Sequence, residues 1–189
     1  MAKRRARAEA LERYNRGVNR TSPPAAHRAE SAASGKILAI DYGRARIGLA
    51  IAQSPHGVAQ PLETLERINR NEDMRRLRQL VRDHGVKFVV VGLPLRLDGT
   101  RGEMAEEAQR FAQRVSKQIG VPVEMTEERL TSWQAERELE EQFGRRSKAG
   151  EMTSKRKASE KVSVDSMAAA IILRDYLAHK ATRAEGSAE

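Results

Sequence analysis

Apolar runs rich in β-branched residues alternate along this chain with stretches whose apolar positions recur every three or four residues. Runs at 36–41 (KILAID), 46–52 (RIGLAIA), 58–65 (VAQPLETL), 87–92 (KFVVVG) and 121–126 (VPVEMT) predict strands. The first two flank a glycine-containing turn and are close enough to form an antiparallel hairpin. Pro61 assigns the third to an edge or bulged position, because proline has no N–H to give to a ladder. Over 72–84, Met74, Leu77, Leu80 and Val81 repeat at helical spacing with Arg75, Arg76, Arg78 and Arg82 between them. Over 103–119, Met104, Ala108, Phe111, Ala112, Val115 and Ile119 do the same, and Gly120-Val121-Pro122 ends the helix. A further helix is expected after Thr131, where TSWQ fits a capping box, and a last one from near Ser163 to His179.

The resulting order, β-β-β-α-β-α-β-α-α, argues for an α/β protein with a mixed sheet flanked by helices, compatible with a ribonuclease H-like fold. Three regions are expected. Residues 1–34 read as a basic, disordered extension, 35–180 as a single domain and 181–189 as a flexible tail. The extension is rich in Arg, Ala and Ser and carries the helix-blocking TSPPAAHR. A transit peptide is the competing reading, and Glu9, Glu12 and Glu30 count against it.

Charge adds a partner class to this picture. The chain of 189 residues has a formal net charge of +9, of which residues 1–34 hold +5. Clustered Lys and Arg displace the counterions condensed on nucleic acid, so a polyanionic partner is expected. A second basic cluster runs from Arg145 to Lys161 and includes Arg145, Arg146, Lys155, Arg156 and Lys157; it reads either as a solvated loop or as a grip on nucleic acid. The chain has no cysteine, which excludes disulfides, thiolate catalysis and Cys-based zinc sites, and fits a cytoplasmic location. No run approaches the ~18 apolar residues of a membrane span.

The candidate chemistry lies in a few acids. Asp41 ends the first strand, Glu127 and Glu128 follow another, and Asp165 lies on the helical face of Ala168, Ala169 and Ile172. Phosphodiester hydrolysis needs an activated water and neutralised charge at the phosphate. Divalent ions supply both, and hard ions such as Mg²⁺ or Mn²⁺ take carboxylate oxygens. Acids from distant segments converging at strand ends and a helix would meet that need. Each also has an ordinary reading: Asp41 as a turn former before Tyr42-Gly43, the glutamates as solvated acids ahead of a helix, Asp165 as a first-turn acid. A carboxylate on a core-facing stripe is costly unless paired or bound to a metal, which favours function for Asp165. The segment VGLPLRLDGT lacks the Gly-Lys-Ser/Thr ending of a phosphate-cradling loop, and the four histidines show no ligand spacing.

Four segments, IDYGRARIGLA, VVVGLPLRLDGT, TEERLTS and VDSMAAAIIL, together resemble the motifs of the YqgF family, the pre-16S ribosomal RNA nucleases or Holliday junction resolvase-like proteins, over about residues 36–178. The resemblance implies a ribonuclease H-like fold, a cytoplasmic bacterial protein and a role in maturing the 5′ end of 16S ribosomal RNA. It also implies metal-dependent cleavage by Asp41, Glu128 and Asp165, with Glu128 preferred over Glu127 because it directly precedes Arg-Leu. Arg44, Arg46 and the Arg145 to Lys161 loop are then expected to hold phosphates. Precursor ribosomal RNA, other structured nucleic acid and ribosomal particles are the expected partners, and the chain is expected to act as a monomer or homodimer. Two further readings stand beside it: a resolvase of four-way DNA junctions using the same acids, and a non-catalytic RNA-binding ribosome-assembly factor. An actin-like ATPase, suggested by Asp-x-Gly at a strand end, would need two such domains, for which the chain is too short.

Overall fold

The computed structural model describes residues 11, 12, 15, 35–54, 57–95, 100, 102–127 and 163–185. Strands β1 (Gly35–Tyr42), β2 (Arg46–Ser54), β3 (Gln60–Glu66), β4 (Val86–Leu93) and β5 (Val123–Glu127) form one sheet in the order β3-β2-β1-β4-β5. Pairings β1–β2 and β2–β3 are antiparallel, and β1–β4 and β4–β5 are parallel. Helices α1 (Arg70–His84), α2 (Glu103–Ile119) and α3 (Val164–Glu185) complete the described elements. This strand order and these senses define a ribonuclease H-like sheet.

The apolar runs lack polar alternation because the sheet is covered on both faces. Leu38, Ile40 and Tyr42 of β1 join Leu77, Leu80, Phe111 and Val115 in the layer under α1 and α2. Ile37 and Ala39, at the alternate positions, pack with Ala169, Ile172 and Leu173 of α3. Each large side chain buried completely there, such as Leu38, Ile40 or Phe88, contributes roughly 1.5–3 kcal/mol.

Local signals set the boundaries. The Asn69 side chain accepts from the N–H groups of Asn71 and Glu72 at 3.1 and 2.9 Å and starts α1. Gly120, left-handed at φ 81°, ends α2 where the Gly-Val-Pro signal places the stop. Pro61 is on the edge strand, as expected, and β3 begins two residues later than its apolar run.

Two expectations change. Helix α3 runs to Glu185, past the expected end at His179 and into the residues assigned to a tail. Its polar last turns hold because Lys180 lies over the Tyr176 and Phe88 rings, at 5.6 and 6.0 Å, and the Thr182 hydroxyl donates to the Ala178 carbonyl. Residues 11, 12 and 15, within the segment read as disordered, are helical. Leu11 packs against the larger core cluster and Asn15 bonds to Met125, a contact across 110 residues that composition does not register.

Candidate active site

Three strands carry one row of residues across the sheet: Asp41 lies opposite Gly48, and Gly48 opposite Thr64. Alternation along β1 puts Asp41 on the same face as Ile37 and Ala39, the face that α3 covers. Its neighbour Tyr42 turns to the other face and packs against Phe111, ring centroids 4.8 Å apart.

The first turn of α3 sits on that row. A Cβ on Gly48 would lie 1.9 Å from the Asp165 carbonyl oxygen, so only glycine lets the helix approach the hairpin this closely. The turn is built by two serines. The Ser166 N–H donates to Ser163 Oγ at 3.2 Å, and the Ser163 N–H donates to Ser166 Oγ at 3.1 Å, a reciprocal cap of the helix start. The Thr64 and Ser163 hydroxyls bond to each other and tie this cap to β3. Asp165 is thereby fixed beside the strand pair that bears Asp41.

Arg46, at the start of β2, places Nε 3.0 Å from Asp165 Oδ2. Arg44, in the turn between β1 and β2, is held by acids of α2: its Nη2 lies 2.8 Å from both Glu103 Oε2 and Glu107 Oε1. The bond to Glu107 and then that to Glu103 raise the Arg44 pKa well above its ordinary value, and Arg44 in turn lowers that of Glu107. Both arginines expected to hold phosphate are thus engaged with carboxylates, by partners too distant in sequence for spacing to reveal.

A buried network fixes the turn after Asp41. Arg67 Nη1 donates to the Tyr42 hydroxyl at 2.9 Å, to the Gly43 carbonyl at 3.1 Å and to the Arg44 carbonyl at 3.3 Å. Its Nε donates to Asp73 Oδ2 at 3.0 Å, and the guanidinium lies 4.8 Å from the Tyr42 ring centroid. The other Asp73 oxygen accepts from the Ile68 N–H at 3.3 Å. Burial acts to lower the Arg67 pKa, but the bonds to Asp73 and Tyr42 outweigh it and the net shift is upward. Sequence reasoning passed over this pair. The signal was present: Asp73 stands at helical spacing from Leu77 and Leu80, an acid on a core-facing stripe like Asp165.

The structure therefore brings together Asp41, Arg46 and Asp165, with Arg44 on the same hairpin. Glu127 shares its parity along β5 with Val123 and Met125, both in the α1–α2 layer, and so belongs to the face opposite Asp41. Glu128, the helix expected after Thr131, and Arg145, Arg146, Lys155, Arg156 and Lys157 lie outside the described residues. Among the described residues no three His, Asp or Glu side chains gather closely enough to hold a metal ion. The donors present nevertheless suit a hard divalent cation in kind: both acids offer carboxylate oxygens, and that of Asp165 already faces a cationic group. No helix among the described residues is long and apolar enough to cross a membrane.

A ribonuclease H-like sheet thus carries one acid at the tip of its central strand and a second on the helix packed beside it, and the nuclease class comes from the family and relatives that the sequence matches. Within that class the chain belongs to the RuvX family, the YqgF family of the sequence resemblance, whose model, described as Holliday junction resolvase, matches residues 35–179. A protein of Koribacter versatilis (strain Ellin345) named "Putative pre-16S rRNA nuclease" is 39% identical over 147 residues, spanning 78% of this chain and 89% of that protein. One of the same name from Chloroflexus aurantiacus (strain ATCC 29366) is 41% identical over 141 residues, spanning 75% of this chain and 85% of that protein. Among solved structures, Thermus thermophilus RuvC superimposes with a TM-score of 0.46 at 13% identity, over 77% of this chain and 96% of that one.

Proposed function

We propose that this chain is a divalent-metal-dependent endonuclease that hydrolyses phosphodiester bonds of precursor 16S ribosomal RNA at its 5′ end, in the cytoplasm. The observation that carries this reading is the seating of the first turn of α3 on Gly48, which joins Asp165 to the strand row of Asp41. The names of its relatives support the substrate.

In this reading Asp41, Asp165 and Glu128 hold Mg²⁺ or Mn²⁺. Such an ion would supply an activated water and neutralise charge at the attacked phosphate and the leaving oxygen. The chain's own residues set the geometry. Asp41 is held at a strand end whose turn Arg67 locks, and Asp165 is held by the serine cap and the glycine contact. A divalent ion held by Asp165 would compete with Arg46, whose guanidinium would then be available to a phosphate oxygen of the substrate. Arg44, next to it on the hairpin, exchanges its glutamates for phosphate in the same way. The basic segment from Arg145 to Lys161 adds contacts that follow the backbone without reading sequence.

The direct test is cleavage of precursor 16S ribosomal RNA with Mg²⁺ by the wild type, Asp41→Asn and Asp165→Asn. Both variants are expected to fall to near background while still binding RNA. Undiminished cleavage by both overturns the assignment.

A second reading is favoured by the description of the matching family model: resolution of four-way DNA junctions by the same acids. The carboxylates act on the phosphodiester and do not identify the sugar. Parallel assays on junction DNA and precursor RNA, at matched salt, separate the two.

A further inference from the structure

Strand β5 forms one edge of the sheet, paired to β4 on its other side. An edge strand leaves a row of backbone donors and acceptors unpaired. The N–H and C=O of one strand residue point to the same side, and those of its neighbours to the other. At Met125 both groups are taken by a single side chain. The Met125 N–H donates to Asn15 Oδ1 at 2.6 Å, and Asn15 Nδ2 donates to the Met125 carbonyl at 3.2 Å. A primary carboxamide carries the same donor and acceptor as a peptide group. Asn15 therefore satisfies Met125 as a residue of an adjacent strand would. Four residues earlier, Leu11 packs against the larger core cluster. Positions i and i+4 share a helix face, so one face supplies both an apolar anchor and the carboxamide.

These residues precede the part of the chain that matches the family model. We propose that Leu11 and Asn15 form a built-in cap on the β5 edge, with Asn15 in the place of a sixth strand, and that the cap positions the acidic end of β5. Strand β5 is only five residues long, with Met125 at its centre. Pinning the centre from the free side, against β4 on the other, restrains sliding and fraying of the end at Glu127, after which Glu128 follows. Asn15 is thus a positioning residue. This second part rests on the nuclease reading of Glu128, whereas the cap itself does not.

The test uses the full chain and four proteins: wild type, Asn15→Ala, Asn15→Asp and Leu11→Ala. Amide hydrogen exchange at Met125 is the first readout. Asn15→Ala and Leu11→Ala are expected to speed that exchange roughly tenfold, the loss of one hydrogen bond from a locally opening strand. Asn15→Asp keeps the acceptor and loses the donor, so it is expected to retain most of the protection. Equal protection in wild type and Asn15→Ala overturns the cap. Binding of Mn²⁺, followed by electron paramagnetic resonance, is the second readout. Asn15→Ala is expected to weaken it about tenfold, as loss of a group that orients a ligand does. Unchanged Mn²⁺ binding with lost protection overturns the positioning role. A wild type that binds Mn²⁺ and shows the protected amide, yet cleaves neither RNA nor junction DNA, counts against the nuclease reading and supports the cap.

Discussion

Arg46 Nε lies 3.0 Å from Asp165 Oδ2, so the cation facing this candidate ligand in the structure is an arginine. The pair joins the start of β2 to the first turn of α3, and its two members have separate tasks in the proposed reaction. An ion pair this exposed contributes at most ~1 kcal/mol. It is strong enough to keep the carboxylate oriented and weak enough to yield to a divalent ion.

Removing the arginine therefore has opposite effects on ion and substrate. Arg46→Gln is expected to lower the Mg²⁺ concentration for half-maximal cleavage about two- to fivefold, because the competing cation is gone. The same variant is expected to raise KM for the RNA. Mg²⁺ and substrate titrations of cleavage rate measure both, and a raised Mg²⁺ requirement contradicts the competition.

Gly48→Ala tests the seating of α3. The added Cβ meets backbone rather than a flexible side chain, 1.9 Å from the Asp165 carbonyl oxygen, so the helix has to shift. The expected cost is on the order of 3 kcal/mol by urea unfolding, at the upper end for overpacking. Cleavage measured well below the unfolding midpoint is expected to fall too, since Asp165 moves from the Asp41 row. A neutral effect on stability would refute the close contact.

Arg67→Met removes the partner of a carboxylate that is 3% exposed. Stranding Asp73 is expected to cost about 3 kcal/mol, and Arg67→Lys recovers little because an ammonium lacks the planar fork that spans Asp73, Tyr42 and two carbonyls. The double variant Arg67→Met with Asp73→Leu is expected to regain much of the loss. Urea unfolding of wild type, Arg67→Met, Asp73→Leu and the double variant measures the coupling directly.

Tyr176 carries a pH dependence. Burial, followed by the charge of Glu124 and the hydrogen bond to it at 3.0 Å, raises the phenol well above its ordinary pKa of 10.0. The folded state keeps a proton that the unfolded state releases. The stability contributed is present in full below pH 10.0 and is lost as pH rises beyond it. Tyr176→Phe is expected to lose about 1 kcal/mol at pH 8 through the missing hydrogen bond. The same variant is expected to show a shallower fall above pH 10.0, which unfolding at a series of pH values compares with the wild type.

The strands and helices were legible because each is a local pattern. The runs around Leu38 and Val90 are apolar on both faces, α1 and α2 repeat at helical spacing, and Asn69, Gly120 and Pro61 punctuate them within a few residues. The contacts of Leu11 and Asn15 were not legible for the opposite reason: Asn15 bonds to Met125, 110 residues away, and no local pattern registers that.

By itself the sequence determined an α/β chain with a hairpin first, an acid at the tip of its first strand and another on a core-facing helix stripe. Periodicity and turn chemistry act over a few residues and suffice for that. Tertiary structure alone decided that Asp41, Gly48 and Thr64 form one row, that the start of α3 rests on it, and that Arg44 and Arg46 face carboxylates. Those relations depend on strand register and on the closeness that a missing Cβ permits, and neither quantity is carried by the spacing of residues along the chain.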